Sequence, residues 1–381
     1  MWKYIIILIL LCSSCIEEYS PDISKYENVL VVDGKLTNLP GPYMVKLSRS
    51  YRYEQNVGQP VSGAQIKIID NEGLEEVLKE TDKGVYVTTD SSFTGIAGKS
   101  YKLQIIIEDE VFESEMETLI PPVQIDSVFW EHIKVNKQND AIQLLVATHD
   151  PNNKTRYYGW DYYDTWKYIV PIDDSDHPDR REGYASSTNY NFYIASTINR
   201  HADIIERQPL LQIGEDINKL HLRYSILVTQ YAYSEKAFKY LKDLVSLNQN
   251  QGSLFDPIPY SLTGNIKCVS DRNLPILGYF IVAGASEKRI FIDRSELPEE
   301  YRPVSGFEDC DLELVFVRLE FKDNVRMDHR VDSLMNKGYV IFKEALEIGS
   351  GGNRVHVYLA KKRCFDSRAS GTNIKPDFWI D

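Results

Sequence analysis

Short segments of alternating apolar and polar residues, separated by turn residues, dominate the first third of this 381-residue chain. Residues 65–69 and 101–105 alternate with a period of two, which gives a strand one buried face and one wet face. Turn-forming residues at 70–73 and 82–84 separate such segments. Short strands at this spacing are typical of a β-sandwich. We predict strands at residues 29–36, 43–48, 65–70, 85–88, 101–108 and 110–118.

Two adjacent prolines, Pro121 and Pro122, give the clearest domain boundary. Proline cannot donate a ladder hydrogen bond and restricts the backbone, so a strand does not continue through this pair. We place a β-sandwich over residues 28–120 and a second β domain over 121–295. Residues 296–381 are predicted to form a C-terminal β segment and a tail that pack on the second domain. Further strands are predicted near 125–130, 141–148, 156–170, 190–198, 220–231, 277–283, 289–292, 312–320 and 354–359.

One helix is predicted, at residues 234–248 inside the second domain. Ser234 is a good N-cap residue, and Gly252 and Pro257 end the segment. Between them, apolar residues fall at three- and four-residue spacing and form one stripe: Ala237, Tyr240, Leu241, Leu244 and Leu247. The predicted fold class is therefore mainly β, with helical and loop insertions.

The densest aromatic stretch is a predicted strand in the second domain. Seven of the twelve residues from Tyr157 to Tyr168 are aromatic. Residues of one parity share one face of a strand. A buried tryptophan on a central strand is ordinary, so we assign Trp160 to the core. An exposed stripe of this kind could stack on a sugar, a planar chelate or a partner's loop. Three residues are therefore candidates for ligand or partner binding, with a core position as the alternative: Tyr162, Trp166 and Tyr168.

The amino terminus has the layout of a secretory signal. Lys3 is followed by an apolar run at residues 4–11 and then by Cys12, Ser13, Ser14 and Cys15. The run is shorter than the roughly 20 apolar residues that span a bilayer. The stretch resembles a bacterial lipoprotein signal, which is cleaved before a cysteine that then carries lipid. The resemblance implies a signal peptide at 1–14, lipidation of Cys15 and a tether at 15–27.

Glu17 and Glu18 follow the predicted lipidated cysteine almost directly. An acidic pair in this place resembles the export signal with which Bacteroidota move lipoproteins to the cell surface. The alternative is the start of a solvated linker. Because one acyl chain gives only marginal membrane binding, stable anchoring at Cys15 would require several chains.

Charge and cysteine content limit the partners and the compartment. The formal net charge is −13 and the sequence pI is near 5.1, which argues against a nucleic-acid partner, since a phosphate backbone requires a basic face. Besides Cys15, the exported chain would keep Cys268, Cys310 and Cys364. An oxidising compartment favours one disulfide and one free thiol among these three, and the pairing stays open.

The sequence contains no pattern that we assign to catalysis, a cofactor or a metal. Acidic side chains and one histidine crowd the segment 173–179, and oxygen ligands of this kind suit calcium, but the spacing of a calcium-binding EF-hand loop is absent. We predict a solvated acidic loop there. His149 has no nucleophile motif nearby and is assigned to a turn. Ser127 and Ser333, each preceded by aspartate and followed by valine or leucine, resemble O-glycosylation acceptors of Bacteroidota.

Several fragments along the chain together resemble one known family. They are residues 60–64, 223–228, 252–257, 264–266, 277–280 and 375–379. In this order and spacing they are similar to Bacteroidota outer-membrane lipoproteins of unknown function, domain of unknown function 4249. Many members of that family are encoded beside TonB-dependent receptors. Members often carry Cys-x-Asp-Cys near the end, whereas here Cys364 is followed by Ser367 at the second cysteine position.

The resemblance and the signal lead to one expected function. We expect a non-catalytic, lipid-anchored outer-membrane binding protein, facing the cell exterior, that is accessory to a TonB-dependent receptor in nutrient capture or uptake. A structural or adhesive surface lipoprotein is the first alternative, and a surface hydrolase is the second.

Overall fold

A computed structural model describes residues 28–50, 58–90, 92–136, 139–188, 192–249, 262, 264–318, 329–347 and 354–380. Within these residues the chain forms four β-sheets of eleven, three, five and three strands, with two α-helices. The prediction of a mainly β fold is confirmed. Among the described residues, no helix has the length and apolar content needed to cross a membrane.

The first sheet contains most of the strands predicted before Pro121. Alternation places Ile66 and Ile68 of one strand beside Leu103 and Ile105 of its neighbour in a buried core. The charged strand β5 was not predicted, because only Leu78 among its residues is buried. The strands are β1 (Leu30–Leu36), β2 (Met44–Arg49), β3 (Gln59–Pro60), β4 (Gln65–Asp70), β5 (Glu75–Asp82), β6 (Val85–Thr88), β7 (Ser100–Ile107), β8 (Glu110–Ser114), β9 (Glu117–Thr118), β17 (Ile266–Cys268) and β18 (Ile276–Val282).

Strands β17 and β18 correct the predicted domain boundary. The sequence placed them in a domain at 121–295, but β17 pairs with β8 and β18 pairs in parallel with β1. Phe280 and Val282 are fully buried in the core of the first sheet. Their burial explains the return of the chain: β18 covers an edge of β1 that would otherwise be open, and it adds apolar side chains to the core.

A close backbone approach holds the returning strands together. The Asn265 side chain donates to the carbonyl of Phe280 at 3.0 Å and accepts from the Phe280 backbone N–H at 2.9 Å. A Cβ atom on Gly264 would lie 1.7 Å from the carbonyl oxygen of Gly278, which itself has a φ of +116°. Both positions therefore require glycine. Two fragments of the family resemblance, at 264–266 and 277–280, meet here.

The second and third sheets face each other as a sandwich with one shared core. Ile142 and Leu144 from the second sheet pack with Tyr158, Trp160 and other residues of the third. Strands β13 and β15 were not predicted. The second sheet consists of β10 (Ile125–Lys134), β11 (Asp140–His149) and β15 (Ile204–Gly214). The third sheet consists of β12 (Tyr157–Ile169), β13 (Glu182–Thr188), β14 (Tyr193–Ser196), β16 (Arg223–Ala232) and β19 (Gly284–Asp293).

The predicted helix is present as α1 (Glu235–Gln249). The Ser234 hydroxyl accepts from the backbone N–H of Ala237 at 3.1 Å, as expected for an N-cap. Ala237 and Leu241 are buried in a cluster with Tyr279 of the first sheet and Tyr231 of the third. The helix therefore packs against both sheets and joins them.

The C-terminal region forms the fourth sheet and a tail. The sheet contains β20 (Glu313–Arg318), β21 (Tyr339–Glu347) and β22 (Arg354–Lys361), with α2 (His329–Asn336) packed on it; α2 and β21 were not predicted. A disulfide joins Cys310 to Cys364, and Cys268 is a buried free thiol. In the tail, the ring of Trp379 contacts Tyr184 and Phe291 of the third sheet.

Candidate functional site

One face of the aromatic strand β12 points into the sandwich core. The indole N–H of Trp160 donates to the Gln230 side chain at 2.8 Å, and the Gln230 amide donates to the Val123 carbonyl and the Thr148 hydroxyl at 2.9 Å. Trp160 is 2% exposed. The assignment of Trp160 to the core is confirmed.

The three predicted binding residues do not form an exposed stripe. Tyr162 is 8% exposed and Tyr168 is 3% exposed, so the expectation that they face solvent is wrong. The second sheet covers the face that carries Tyr162, and the hydroxyl of Tyr168 donates to the carbonyl of Ser367 in the C-terminal region. Burial raises the pKa of Tyr168 to about 12. Trp166 is half-buried, with the Lys219 ammonium 4.8 Å from its ring centroid.

A buried carboxylate lies between Tyr162 and Trp166 on this inner face. Asp164 is fully buried and accepts from Ser187 at 2.5 Å, Lys219 at 2.6 Å and Tyr224 at 2.8 Å. Burial, together with the neighbouring Asp164 carboxylate, raises the pKa of Tyr224 well above its ordinary value. The buried charge is thus compensated by a cation and two hydroxyls, as buried charges in proteins require.

Ser187 and Lys219 have the spacing of a nucleophile and its base. The Lys219 ammonium donates to the Ser187 hydroxyl at 2.8 Å, and both groups also donate to Asp164. An ammonium that is already donating has no lone pair with which to accept the serine proton. The arrangement serves to neutralise Asp164 and to tie β12 and β13 to the chain before β16.

The opposite face of β12 borders a groove between the first and third sheets. The cavity holds about 420 Å³ and is open to solvent. One wall is the outer face of β1 and β2, and the other is the outer face of the third sheet. The chain between β1 and β2 adds further lining residues. Its lining residues are Asp33, Lys35, Thr37, Leu39, Pro40, Pro42, Tyr43, Met44, Lys46, Thr229, Tyr231 and Glu287.

An ion pair at the base of the groove connects its two walls. The Lys35 ammonium lies 3.4 Å from the Asp161 carboxylate, and the Tyr231 hydroxyl donates to the same carboxylate at 2.7 Å. The ammonium also lies 3.9 Å from the centroid of the Tyr231 ring. Burial, followed by the charge of Asp161, raises the pKa of Tyr231. These contacts hold the two walls together at this point, and other charged residues of the walls stay exposed.

The other charged residues of the two walls have both signs. Asp33 of β1 and Lys46 of β2 are directly opposite each other in the pairing of these two strands, and both are exposed. Neither has an ion-pair or hydrogen-bond partner in the part of the chain that the structure describes. On the facing wall, the exposed Glu287 accepts only one bond among the described residues, from the Thr229 hydroxyl at 3.1 Å. These groups are free to meet a ligand.

Sequence reasoning missed this groove because it relies on contacts between distant segments. Lys35 and Asp161 are 126 positions apart, and no local pattern relates them. One signal was available: Asp161 and Tyr163 have the other parity of the aromatic stretch, and Tyr163 is 39% exposed. The alternation of β12 defined two faces correctly, but it did not tell which face was buried.

Neither predicted glycosylation site lines the groove. Cys15, Glu17 and Glu18 fall outside the described residues. Ser127 is half-buried on β10 and Ser333 is half-buried on α2, so glycosylation of either serine stays a prediction.

The acidic segment 173–179 is tied by local ion pairs. Asp174 lies 2.9 Å from the His177 ring and 3.7 Å from Arg180. Among the described residues, no group of three or more histidine, cysteine, aspartate or glutamate side chains is arranged to hold a metal ion.

Comparison with known proteins identifies the family. Residues 16–289 match the family model described as Domain of unknown function (DUF4249), whereas none of the curated proteins compared with the chain matches it. The matched range takes in the first two sheets, α1, both walls of the groove and most of β19. Because the match covers well over half of the chain, the protein belongs to the DUF4249 family.

Proposed function

We propose that this protein is a non-catalytic, lipid-anchored outer-membrane protein, displayed on the cell exterior, that captures a nutrient for a TonB-dependent receptor. The observation that carries the binding role is the open groove between the first and third sheets, with charged side chains on its walls that form no ion pair among the described residues. The secretory signal that ends at Cys15 and the acidic pair Glu17 and Glu18 support the location. The resemblance to lipoproteins encoded beside such receptors supports the partner.

The position of the groove suits a protein that is anchored at its amino terminus. The tether at 15–27 joins the fold at Asn28, just before β1, whereas Lys35 and Thr37 line the groove at the other end of β1. At about 3.3 Å per strand residue, roughly 20 Å separate the tether from the groove. Fully extended, the tether would reach up to about 45 Å at roughly 3.5 Å per residue. The groove would therefore be held away from the membrane and open to ligand.

The direct test is isolation of the tagged protein from membranes of its own cells. We expect a TonB-dependent receptor to co-purify with it, and we expect a deletion strain to lose uptake of the nutrient that the receptor transports. Cys15→Ala is the matched control, because it removes the anchor and leaves residues 28–380 unchanged. That variant should leave the membrane fraction and no longer co-purify the receptor.

The same experiment separates the proposal from its alternatives. Absence of any receptor in the isolated material, together with unchanged uptake in the deletion strain, would refute the proposal. Loss of cell adhesion with unchanged uptake would favour a structural or adhesive lipoprotein instead. Hydrolysis of a glycan or peptide by the purified protein would contradict the non-catalytic role.

A further inference from the structure

We propose that the groove binds short peptides whose two ends carry opposite charges. This inference rests on the proposed function and names the chemical class of ligand that the groove would capture. Three properties of the groove lead to it: the charges on its walls, the covered faces of its aromatic rings, and the apolar segment in its lining.

The charges favour a ligand with both signs. Lys46 offers an ammonium, and Asp33 offers a carboxylate beside it. Glu287 adds a second carboxylate from the facing wall. None of the three forms an ion pair among the residues described here. A ligand with an ammonium at one end and a carboxylate at the other can place its ammonium near the two carboxylates and its carboxylate near the lysine.

The aromatic rings of the groove argue against a neutral sugar as its ligand. Sugars bind proteins by stacking on exposed ring faces. Here one face of the Tyr231 ring is covered by the Lys35 ammonium at 3.9 Å, and the ring is stacked with Tyr233 at 5.8 Å. Tyr43 is 7% exposed and meets Phe93 edge to face.

The apolar lining and the size of the groove fit a short peptide. Leu39, Pro40, Pro42 and the exposed Met44 form an apolar surface beside the charged residues. A volume of about 420 Å³ lies within the usual range for sites that take small ligands, roughly 300–1,000 Å³. A peptide of a few residues supplies an apolar side chain for this surface and charged ends for the walls.

Calorimetric titration of the mature, detergent-solubilised protein tests the inference with defined probes. The charged probe is the tetrapeptide Lys-Leu-Leu-Glu with free ends. The matched probe is acetyl-Gln-Leu-Leu-Gln-amide, which has nearly the same shape and no charge, and the sugar probe is maltotetraose. We expect the charged peptide to bind, the neutral peptide to bind at least tenfold more weakly, and maltotetraose not to bind. Raising the salt concentration should weaken binding, because the exposed charges are screened.

Two double variants locate the binding site. Asp33→Asn with Lys46→Gln removes the two unpaired charges on the wall formed by β1 and β2, leaves Glu287 in place, and should weaken binding of the charged peptide at least tenfold. Lys83→Gln with Asp109→Asn makes the same change in net charge on exposed turns outside the groove and should leave binding unchanged. Both pairs are exposed, so both variants should unfold at the wild-type temperature.

Each contrary result overturns the inference. Failure of the charged peptide to bind would do so, as would equal binding of the neutral peptide or full binding by the groove variant. If these results occurred while the receptor still co-purified, the ligand class would be wrong and the proposed function would stand. If the peptide bound as expected but no receptor co-purified and uptake was unchanged, the proposed function would fail and the peptide site would remain.

Discussion

Strand β12 carries two aspartates that each pair with a lysine, three positions apart and on opposite faces. Asp164 is fully buried and lies 2.6 Å from Lys219, whereas Asp161 is 40% exposed and lies 3.4 Å from Lys35. An odd spacing on a strand places two side chains on opposite faces. The inner pair is enclosed between two sheets, and the outer pair lies at the base of an open groove.

The difference between the pairs shows how burial decides the role of a charge. A buried carboxylate that loses its partner leaves an uncompensated charge in a medium of low polarity, so breaking the inner pair is strongly destabilising. An exposed pair adds little to stability, since water and salt compete with it. The exposed charges of the groove walls beyond the outer pair are therefore available for binding.

The largest expected effect comes from removing each lysine in turn. Lys219→Met leaves Asp164 buried without its cation, and we expect the free energy of unfolding of the protein to fall by about 3–5 kcal/mol. Lys35→Met leaves Asp161 in water, and we expect a loss of about 1 kcal/mol or less. Denaturant unfolding followed by tryptophan fluorescence measures both, because Trp160 and Trp166 lie in this sandwich. Equal losses in the two variants would contradict the claim that burial makes the inner pair more important for stability than the outer pair.

A smaller effect should follow from removing the tyrosine hydroxyl beside each aspartate. Tyr224 donates to Asp164 at 2.8 Å, and Tyr231 donates to Asp161 at 2.7 Å, so the two bonds match in length. We expect Tyr224→Phe to cost about 2–3 kcal/mol, as for hydrogen bonds to a buried charge. Tyr231→Phe should cost about 1 kcal/mol, because water can reach Asp161 in its place. The same unfolding measurement applies, and a larger cost for Tyr231→Phe would contradict the comparison.

The smallest effect concerns an ion pair in which both side chains are exposed. His149 lies 2.8 Å from Asp126, and the hydrogen bond to that carboxylate raises the pKa of His149 above its ordinary value of about 6.5. A raised pKa means that the pair stabilises the fold below about pH 6.5 and that this contribution is lost as the pH rises through the folded pKa. An NMR titration should show the raised pKa, and Asp126→Asn should return it toward the ordinary value. No change in that variant would show that Asp126 is not the cause.

The sequence predicted those features that depend on neighbouring residues. Alternation located most strands of the first sheet, and Ser234 with the apolar stripe after it located α1. Features that depend on distant contacts were missed or, like the disulfide pairing, left open. The return of β18 to β1, the pairing of Cys310 with Cys364 and the junction of Lys35 with Asp161 each join segments far apart in the chain.

Strand β12 shows most clearly what alternation in the sequence cannot predict. Both of its faces carry aromatic and charged residues, so alternation alone could not tell the core face from the groove face. The choice depends on which side the second sheet covers, and that sheet is formed by segments before and after β12. The expected exposure of Tyr162 and Tyr168 was wrong for this reason.

The proposed role depends on the anchor, since without lipid the groove would not be held at a membrane receptor. Mass spectrometry of the amino-terminal peptide, taken from protein isolated from the cell envelope, tests this most directly. We predict a mature chain that begins at Cys15, with acyl groups on that cysteine. An unmodified amino terminus upstream of Cys15 would contradict the account.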